Sequence, residues 1–122
     1  MFDFRNKTVF ITGGSRGIGR AVAVRFSALG ANTVITYKYR IDPNFFKSKN
    51  ILYFKCDSTN SKRIKIVIEK TIKKFGQIDI LINNAGITKD GLIMRMSEEN
   101  WDSVINTNLK GTFLFSKEVI KC

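Results

Sequence analysis

The chain has 122 residues, of which 43% are hydrophobic and 11% aromatic, a composition that fits a folded globular domain and excludes disorder. This length supports a single domain, and no apolar run approaches the roughly 20 residues that a membrane-spanning helix needs. The 21 basic and 10 acidic residues give a net charge of +11, and the absence of histidine excludes histidine acid–base catalysis and histidine metal ligation. No stretch reads as a signal or transit peptide, so we expect a cytoplasmic or organelle-stroma location and no membrane association.

Strand-like and helix-like stretches alternate along the chain. Strands are predicted over residues 8–12, 33–36, 51–55 and 80–83. Helices are predicted over residues 17–29 and 62–75, ended by Gly30 and Gly76, and a further helix begins near Ser97 with Asn100 in a weakened capping box. Asp42 and Pro43 predict a short helical turn between the second and third strands. The alternation predicts an α/β fold with a doubly wound parallel sheet of strand order 3-2-1-4 and right-handed crossovers.

A glycine-rich turn joins the first strand to the first helix. Glycines let a backbone approach a pyrophosphate closely, and the N–H groups and the positive dipole end of the following helix face the anion. The strand–turn–helix context that such a motif requires is present here. We therefore predict a dinucleotide site in this turn, and its residues are Gly13, Gly14, Ser15, Arg16, Gly17, Ile18 and Gly19.

The spacing of this turn, Thr-Gly-x-x-x-Gly-x-Gly, resembles the cofactor turn of the short-chain dehydrogenase/reductase family. Two further stretches agree in order and spacing: Asn83-Asn84-Ala85-Gly86 after a hydrophobic strand, and Asn106-Thr107-Asn108-Leu109-Lys110-Gly111 in a helix. Within that family, residues 86–96 followed by Trp101 are most similar to the 3-oxoacyl-[acyl-carrier-protein] reductases. The resemblance implies a Rossmann-type fold and reduction of 3-oxoacyl thioesters in fatty-acid synthesis.

The resemblance also implies roles for single residues. Asp57 would hold the adenine amino group, which suits a carboxylate because it only accepts hydrogen bonds, and Asn84 would lie along the adenosine ribose. Asn108 would hold a water molecule in the proton relay of the catalytic site. Because ligands of such sheets lie beyond the carboxyl ends of the strands, the crevice gathers the glycine turn with Lys38, Cys56, Asp57, Asn84, Ala85 and Gly86.

The end of the second strand decides between NAD and NADP. An acidic residue there would bind the ribose 2′-hydroxyl and repel a 2′-phosphate. The sequence instead has Lys38 and Arg40, with no carboxylate before Asp42, and Arg16 in the glycine turn is suited to a forked phosphate contact. These charges favour NADP.

Catalytic residues of the family are missing from the chain. None of its tyrosines begins a Tyr-x-x-x-Lys motif, since Ile41, Pro43 and Asp57 stand where the lysine would be. We expect that motif, the catalytic serine and the last three strands to lie beyond residue 122, so that residues 1–122 form one incomplete domain that is inactive alone. Two alternatives stay open: another short-chain reductase with a different ketone or alcohol substrate, or a nucleotide-binding remnant without catalysis.

A cluster of basic residues lies on the predicted helix over residues 62–75. It allows three interpretations: a solvated helix face, attraction of an acidic acyl carrier protein, or nucleic-acid binding. The cluster lacks interleaved aromatics and a recognition module, so we expect no nucleic-acid partner. Its residues are Lys62, Arg63, Lys65, Lys70, Lys73 and Lys74.

Several other side chains carry structural expectations. Trp101, Phe113 and Phe115 are expected in the core or at a subunit interface, because the resemblance implies a tetramer built partly by this helix. Met94 and Met96 would line an acyl entrance or pack a loop, and Asn83 would tie neighbouring loops together. Cys56 and Cys122 lack metal or redox spacing and are interpreted as reduced thiols.

Overall fold

The computed structural model describes residues 3–42, 50–86 and 93–121. Its strands are β1 (Thr8–Ile11), β2 (Asn32–Tyr37), β3 (Ile51–Lys55) and β4 (Ile80–Ile82). They form a parallel sheet of order β3-β2-β1-β4, which confirms the predicted order. The helices are α1 (Gly17–Ala28), α2 (Ser61–Phe75), α3 (Glu98–Ile105) and α4 (Gly111–Ile120), with a 3₁₀ turn at Ile93–Arg95 and a π-helix at Asn106–Lys110 between α3 and α4.

Local sequence signals set the helix ends. α1 is followed by Gly30 at φ +93°, and α2 is closed by Gly76 at φ +85°, a left-handed conformation that favours glycine. The side chain of Ser97 accepts a hydrogen bond from the N–H of Asn100 at 3.1 Å, so the predicted cap of α3 is confirmed. Asn60 caps α2 in the same way and was not predicted. The turn predicted at Asp42-Pro43 extends outside the described residues.

The two central strands, β1 and β2, are buried on both faces, as expected for a parallel sheet between helix layers. Successive residues of β1 point to opposite faces, so Phe10 belongs to one core cluster while Val9 and Ile11 belong to the other. Phe115 of α4 packs against Phe10 with ring centroids 5.6 Å apart, so its predicted core position is confirmed. The first cluster joins α2 and α4 to the sheet, and the second joins α1 to it.

Trp101 and Phe113 do not share the core position of Phe115. These two residues are 54% and 59% exposed. The core alternative is therefore wrong for both residues, and their expected place at a subunit interface stays a prediction. Over the stretches that the structure describes, no helix combines the length and apolar character needed to cross a membrane.

Candidate functional site

A cavity of about 670 Å³ lies at the carboxyl ends of the strands. The turn after β1, the ends of β2 and β3 and the segment after β4 all contribute to its walls. The structure therefore brings together the stretches that the sequence predicted around one crevice. The predicted residues that line it are Gly13, Ser15, Arg16, Gly17, Lys38, Cys56, Asp57, Asn84, Ala85 and Gly86.

Gly14 and Ile18 stand apart from these lining residues. The N–H of Gly14 donates to the carbonyl of Thr36 at 3.0 Å, and an added Cβ would lie 2.5 Å from Cγ2 of Ile35. Gly14 is thus required for close packing of the turn on β2. Ile18 is 79% exposed, with its side chain outside the cavity walls. A direct cofactor contact by either residue stays a prediction.

One threonine hydroxyl joins β1 to the segment after β4. Oγ1 of Thr12 accepts hydrogen bonds from the N–H of Asn84 at 3.0 Å and from the N–H of Ala85 at 2.9 Å. Thr12 is 1% exposed, so these bonds are shielded from water. They fix the position of the Asn-Asn-Ala-Gly segment relative to the glycine turn.

Gly19 and Asn84 pack the start of α1 against that same segment. Nδ2 of Asn84 donates to the carbonyl of Gly13 at 3.0 Å. A Cβ on Gly19 would lie 2.3 Å from both of these atoms, so only glycine fits there. Asn84 was predicted beside the ribose. An amide side chain has two N–H donors and an acceptor oxygen, so the contact with Gly13 is compatible with that role.

The N-terminus of α1 supplies the anion-binding character of the cavity. The first N–H groups of a helix have no partner within it, and the dipole places partial positive charge there. Arg16 occupies the N-cap position in extended conformation, its side chain does not cap the helix, and the first turn contains no acidic residue. No acidic side chain in this first turn would therefore repel a bound phosphate group.

Lys38 and Asp57 meet across the ends of β2 and β3. Nζ of Lys38 lies 3.8 Å from Oδ2 of Asp57, and it also lies 5.3 Å from the ring centre of Tyr39. Oδ1 of Asp57 accepts from the N–H of Thr59 at 2.9 Å and from its hydroxyl at 2.8 Å. Burial alone would raise the pKa of Asp57, but the Thr59 hydrogen bonds and the Lys38 charge hold that pKa below its usual value. Asp57 is therefore an ionised acceptor at the cavity wall.

Cys56 lies beside Asp57 with its side chain buried. Its N–H donates to the carbonyl of Tyr37 at 2.9 Å, which continues the pairing of β3 with β2. Burial raises the pKa of its thiol to about 11, despite the nearby positive charge of Arg63. The thiol is thus protonated at neutral pH, and it forms no disulfide.

Asn108 lies in the π-helix between α3 and α4. The N–H of Gly111 donates to the carbonyl of Asn106, five residues back, and the Thr112 hydroxyl donates to the carbonyl of Asn108 at 2.9 Å. An added Cβ on Gly86 would come 3.0 Å from Oδ1 of Asn108. Asn108 therefore abuts the cavity-lining Gly86 without lining the cavity itself, and single-turn π-bulges often occur at functional sites. Its catalytic role stays a prediction.

Several residues of the cavity wall were not predicted from the sequence. Thr36, Ser58 and Thr107 line the cavity, and the Thr36 hydroxyl accepts a hydrogen bond from Gly13. Among the threonines near strand ends, only Thr12 could be recognised from the sequence, because it belongs to the glycine motif. Asn83 has a structural contact, because its Nδ2 donates to the Ser116 hydroxyl at 3.2 Å, but this bond ties the segment after β4 to helix α4 rather than to a neighbouring loop.

The strand order, the glycine turn at a helix N-terminus and the cavity at the strand ends define a Rossmann-type dinucleotide-binding fold. Residues 7–122 match the family model described as short chain dehydrogenase, and the chain belongs to that family.

Among curated relatives, the chain is 42% identical over 115 residues to the 3-oxoacyl-[acyl-carrier-protein] reductase FabG of Staphylococcus epidermidis. That match covers 88% of this chain and 47% of the relative, so the chain spans about half the length of the relative.

Solved structures of other proteins match the fold of this chain. ElxO with NADP bound superposes with a TM-score of 0.87 at 38% identity, covering 94% of this chain and 49% of that one. The ligand-free aldohexose dehydrogenase of Thermoplasma acidophilum gives a TM-score of 0.85 at 37% identity, covering 96% of this chain and 44% of that one. The similarity thus extends to oxidoreductases with different substrates.

Proposed function

We propose that this chain is the cofactor-binding half of an NADP-dependent 3-oxoacyl-[acyl-carrier-protein] reductase. The observation that carries the proposal is the cavity at the strand ends, where the uncapped N-terminus of α1 meets the side chains at the ends of β2 and β3. The 42% identity to FabG of Staphylococcus epidermidis supports the substrate class.

The residues of the cavity fit an NADP molecule. The glycine turn lets the backbone come close to a pyrophosphate, and the N-terminus of α1 supplies N–H donors for it. Lys38 and Arg16 line the cavity and offer positive charge to a 2′-phosphate. Asp57 is an ionised acceptor suited to the adenine amino group. The NADP bound to ElxO, at 38% identity, supports the same choice of cofactor.

Bound NADPH would supply the hydride for reduction of the 3-oxo group, while this chain binds and orients the cofactor. Asn108, held in the π-helix beside Gly86, would position water for the proton relay. The proton donor itself is not offered by this chain, because none of its tyrosines begins a Tyr-x-x-x-Lys motif. We therefore propose that residues 1–122 alone bind the cofactor and do not reduce the substrate.

Acyl carrier protein thioesters are the proposed substrates, and a cytoplasmic homotetramer is the proposed assembly of the complete enzyme. The exposed apolar side chains of Trp101 and Phe113 suit a subunit contact. The net charge of +11 suits an acidic carrier protein.

A chimera tests this function. Residues 1–122 replace the matched half of the Staphylococcus epidermidis reductase, and NADPH oxidation is followed with an acetoacetyl thioester. We expect turnover by the chimera and none by residues 1–122 alone. A folded chimera that binds NADPH without turnover would contradict the assignment as a working reductase half. It would instead favour a remnant without catalysis.

The aldohexose dehydrogenase supports a second candidate, a short-chain reductase with another substrate, because it matches this chain at 37% identity with a TM-score of 0.85. Grafting residues 1–122 onto the complementary half of that enzyme separates the candidates. Turnover only with the acyl thioester half supports the proposed function, and turnover only with the aldohexose half favours the alternative.

A further inference from the structure

Thr36, near the end of β2, contacts the glycine turn through both its side chain and its backbone. Its Oγ1 accepts a hydrogen bond from the N–H of Gly13 at 3.2 Å, and its carbonyl accepts one from the N–H of Gly14 at 3.0 Å. Thr36 is 1% exposed, so water does not replace these bonds readily. The N–H groups of Gly13 and Gly14 therefore donate to β2. The N–H groups at the N-terminus of α1 remain to bind the anion.

Gly13 is held tightly on its other side as well. Its φ of +66° favours glycine, and an added Cβ would lie 2.9 Å from Cα of Ala85. Its carbonyl accepts the hydrogen bond from Nδ2 of Asn84. Gly13 is thus fixed between the segment after β4 and the Thr36 hydroxyl, and the hydroxyl is the contact from β2 that a substitution can remove.

We propose that Thr36 is a positioning residue for the cofactor: its hydroxyl holds Gly13 so that the N-terminus of α1 faces the pyrophosphate. This inference rests on the proposed function, because it assigns a task within the same cavity. Thr36 lies outside the three motifs that identify the family, and its effect on the cofactor is transmitted through Gly13.

Substitution of Thr36 by valine keeps the branched shape and removes the acceptor. The N–H of Gly13 then lacks its partner inside the protein, and the turn relaxes away from β2. We expect the dissociation constant of NADPH to rise by about tenfold. Thr36→Ser restores a hydroxyl and should bind NADPH within about twofold of the unchanged chain.

Thr33→Val is a matched control on the same strand. Thr33 is also buried, and its hydroxyl donates to the carbonyl of Ala31 over a long 3.4 Å. Loss of that bond leaves the glycine turn untouched. Thr33→Val should therefore leave the NADPH affinity unchanged, whatever it does to stability.

The experiment measures NADPH titrations and amide hydrogen exchange at Gly13 for the unchanged chain and these three variants. Weakened binding in Thr36→Val alone, with faster exchange at Gly13, is the expected result. Equal affinities of Thr36→Val and the unchanged chain would overturn the inference. Equal losses in Thr36→Val and Thr33→Val, or no recovery in Thr36→Ser, would also overturn it.

Two further outcomes are distinguishable. If the unchanged chain does not bind NADPH, the proposed function fails, and the exchange rate of the Gly13 amide alone decides whether Thr36 holds the turn. If Thr36→Val does not fold, Thr36→Cys takes its place, since its thiol is a weaker acceptor of similar size.

Discussion

The Thr12 hydroxyl accepts a hydrogen bond of 2.9 Å from the N–H of Ala85, and this bond connects the turn after β1 to the segment after β4. The neighbouring N–H of Asn84 donates to the same oxygen at 3.0 Å. One side chain thus satisfies two half-buried donors of a segment that follows β4 by only a few residues. The geometry of the cavity depends on this contact, because Asn84 in turn holds Gly13.

Removal of the Thr12 hydroxyl should destabilise the fold. In Thr12→Val two backbone donors lose their partner, so the free energy of unfolding should fall by about 2–3 kcal/mol. Thr12→Ser keeps the acceptor and should lose much less. Urea unfolding followed by circular dichroism measures the difference.

Thr8→Val is the control for that series. Thr8 begins β1, the strand that Thr12 directly follows; it is fully buried, and within the described residues its hydroxyl has no hydrogen-bond partner. Its replacement by valine should leave stability unchanged or raise it. A Thr12→Val variant no less stable than Thr8→Val would show that the double hydrogen bond is unimportant.

Gly19→Ala should disrupt the site by collision. The added Cβ would lie 2.3 Å from Nδ2 of Asn84 and from the carbonyl oxygen of Gly13, so both the helix and the turn must move. We expect a loss of stability of about 2 kcal/mol or more and a marked loss of NADPH affinity. Thermal unfolding and a fluorescence titration measure these effects.

Gly17→Ala separates collision from backbone strain. Gly17 has φ +58°, but an added Cβ would meet nothing within 4 Å. We expect a cost of about 1 kcal/mol from the left-handed backbone alone. Equal losses of stability in Gly17→Ala and Gly19→Ala would contradict the role of close packing at Gly19.

Lys38 should determine the preference for NADPH. Its ammonium group lies at the cavity wall, held 3.8 Å from Oδ2 of Asp57. Lys38→Ala should weaken NADPH binding by about tenfold with little effect on NADH, because only NADPH has the 2′-phosphate. Lys62→Ala, an exposed lysine on α2, serves as the charge-matched control. Equal losses for both cofactors in Lys38→Ala would contradict this assignment.

Cys56 should be unreactive until the chain unfolds. Burial raises its thiol pKa to about 11, so the nucleophilic thiolate is scarce at neutral pH. In a Cys122→Ser background, Ellman's reagent should label Cys56 slowly in the native chain and rapidly in urea. Fast labelling of the folded chain would contradict the buried position.

The same pKa predicts the direction of a pH effect on stability. The thiol gives up its proton near its ordinary pKa when unfolded and only near 11 when folded. Its stabilising contribution is complete below the ordinary pKa and is lost as the pH rises through the folded value. The free energy of unfolding should therefore fall more steeply above pH 9 in the unchanged chain than in Cys56→Ala.

The sequence predicts the sheet well because its signals are local or periodic. β3 was predicted at Ile51–Lys55, where the structure has it, and the Gly30 and Gly76 helix ends follow from backbone chemistry. The strand order also follows, since the alternation of strands and helices predicts a doubly wound parallel sheet.

The missed features depend on contacts between distant segments. The Thr36 hydroxyl reaches Gly13, and Lys38 reaches Asp57, only because β2 is paired with both of its neighbours in a particular register. The exposure of Trp101 likewise depends on the orientation of α3. The sequence predicted a helix around Asn108, but no local signal specified a π-helix there.

A comparison of NADPH and NADH binding to residues 1–122, by titration of nicotinamide fluorescence, tests whether this cavity is an NADP site. The positive charge of Lys38 and Arg16 at the cavity wall predicts at least about tenfold tighter binding of NADPH. Equal affinity for the two cofactors, or binding of neither by the folded chain, would contradict the assignment of this cavity to NADP.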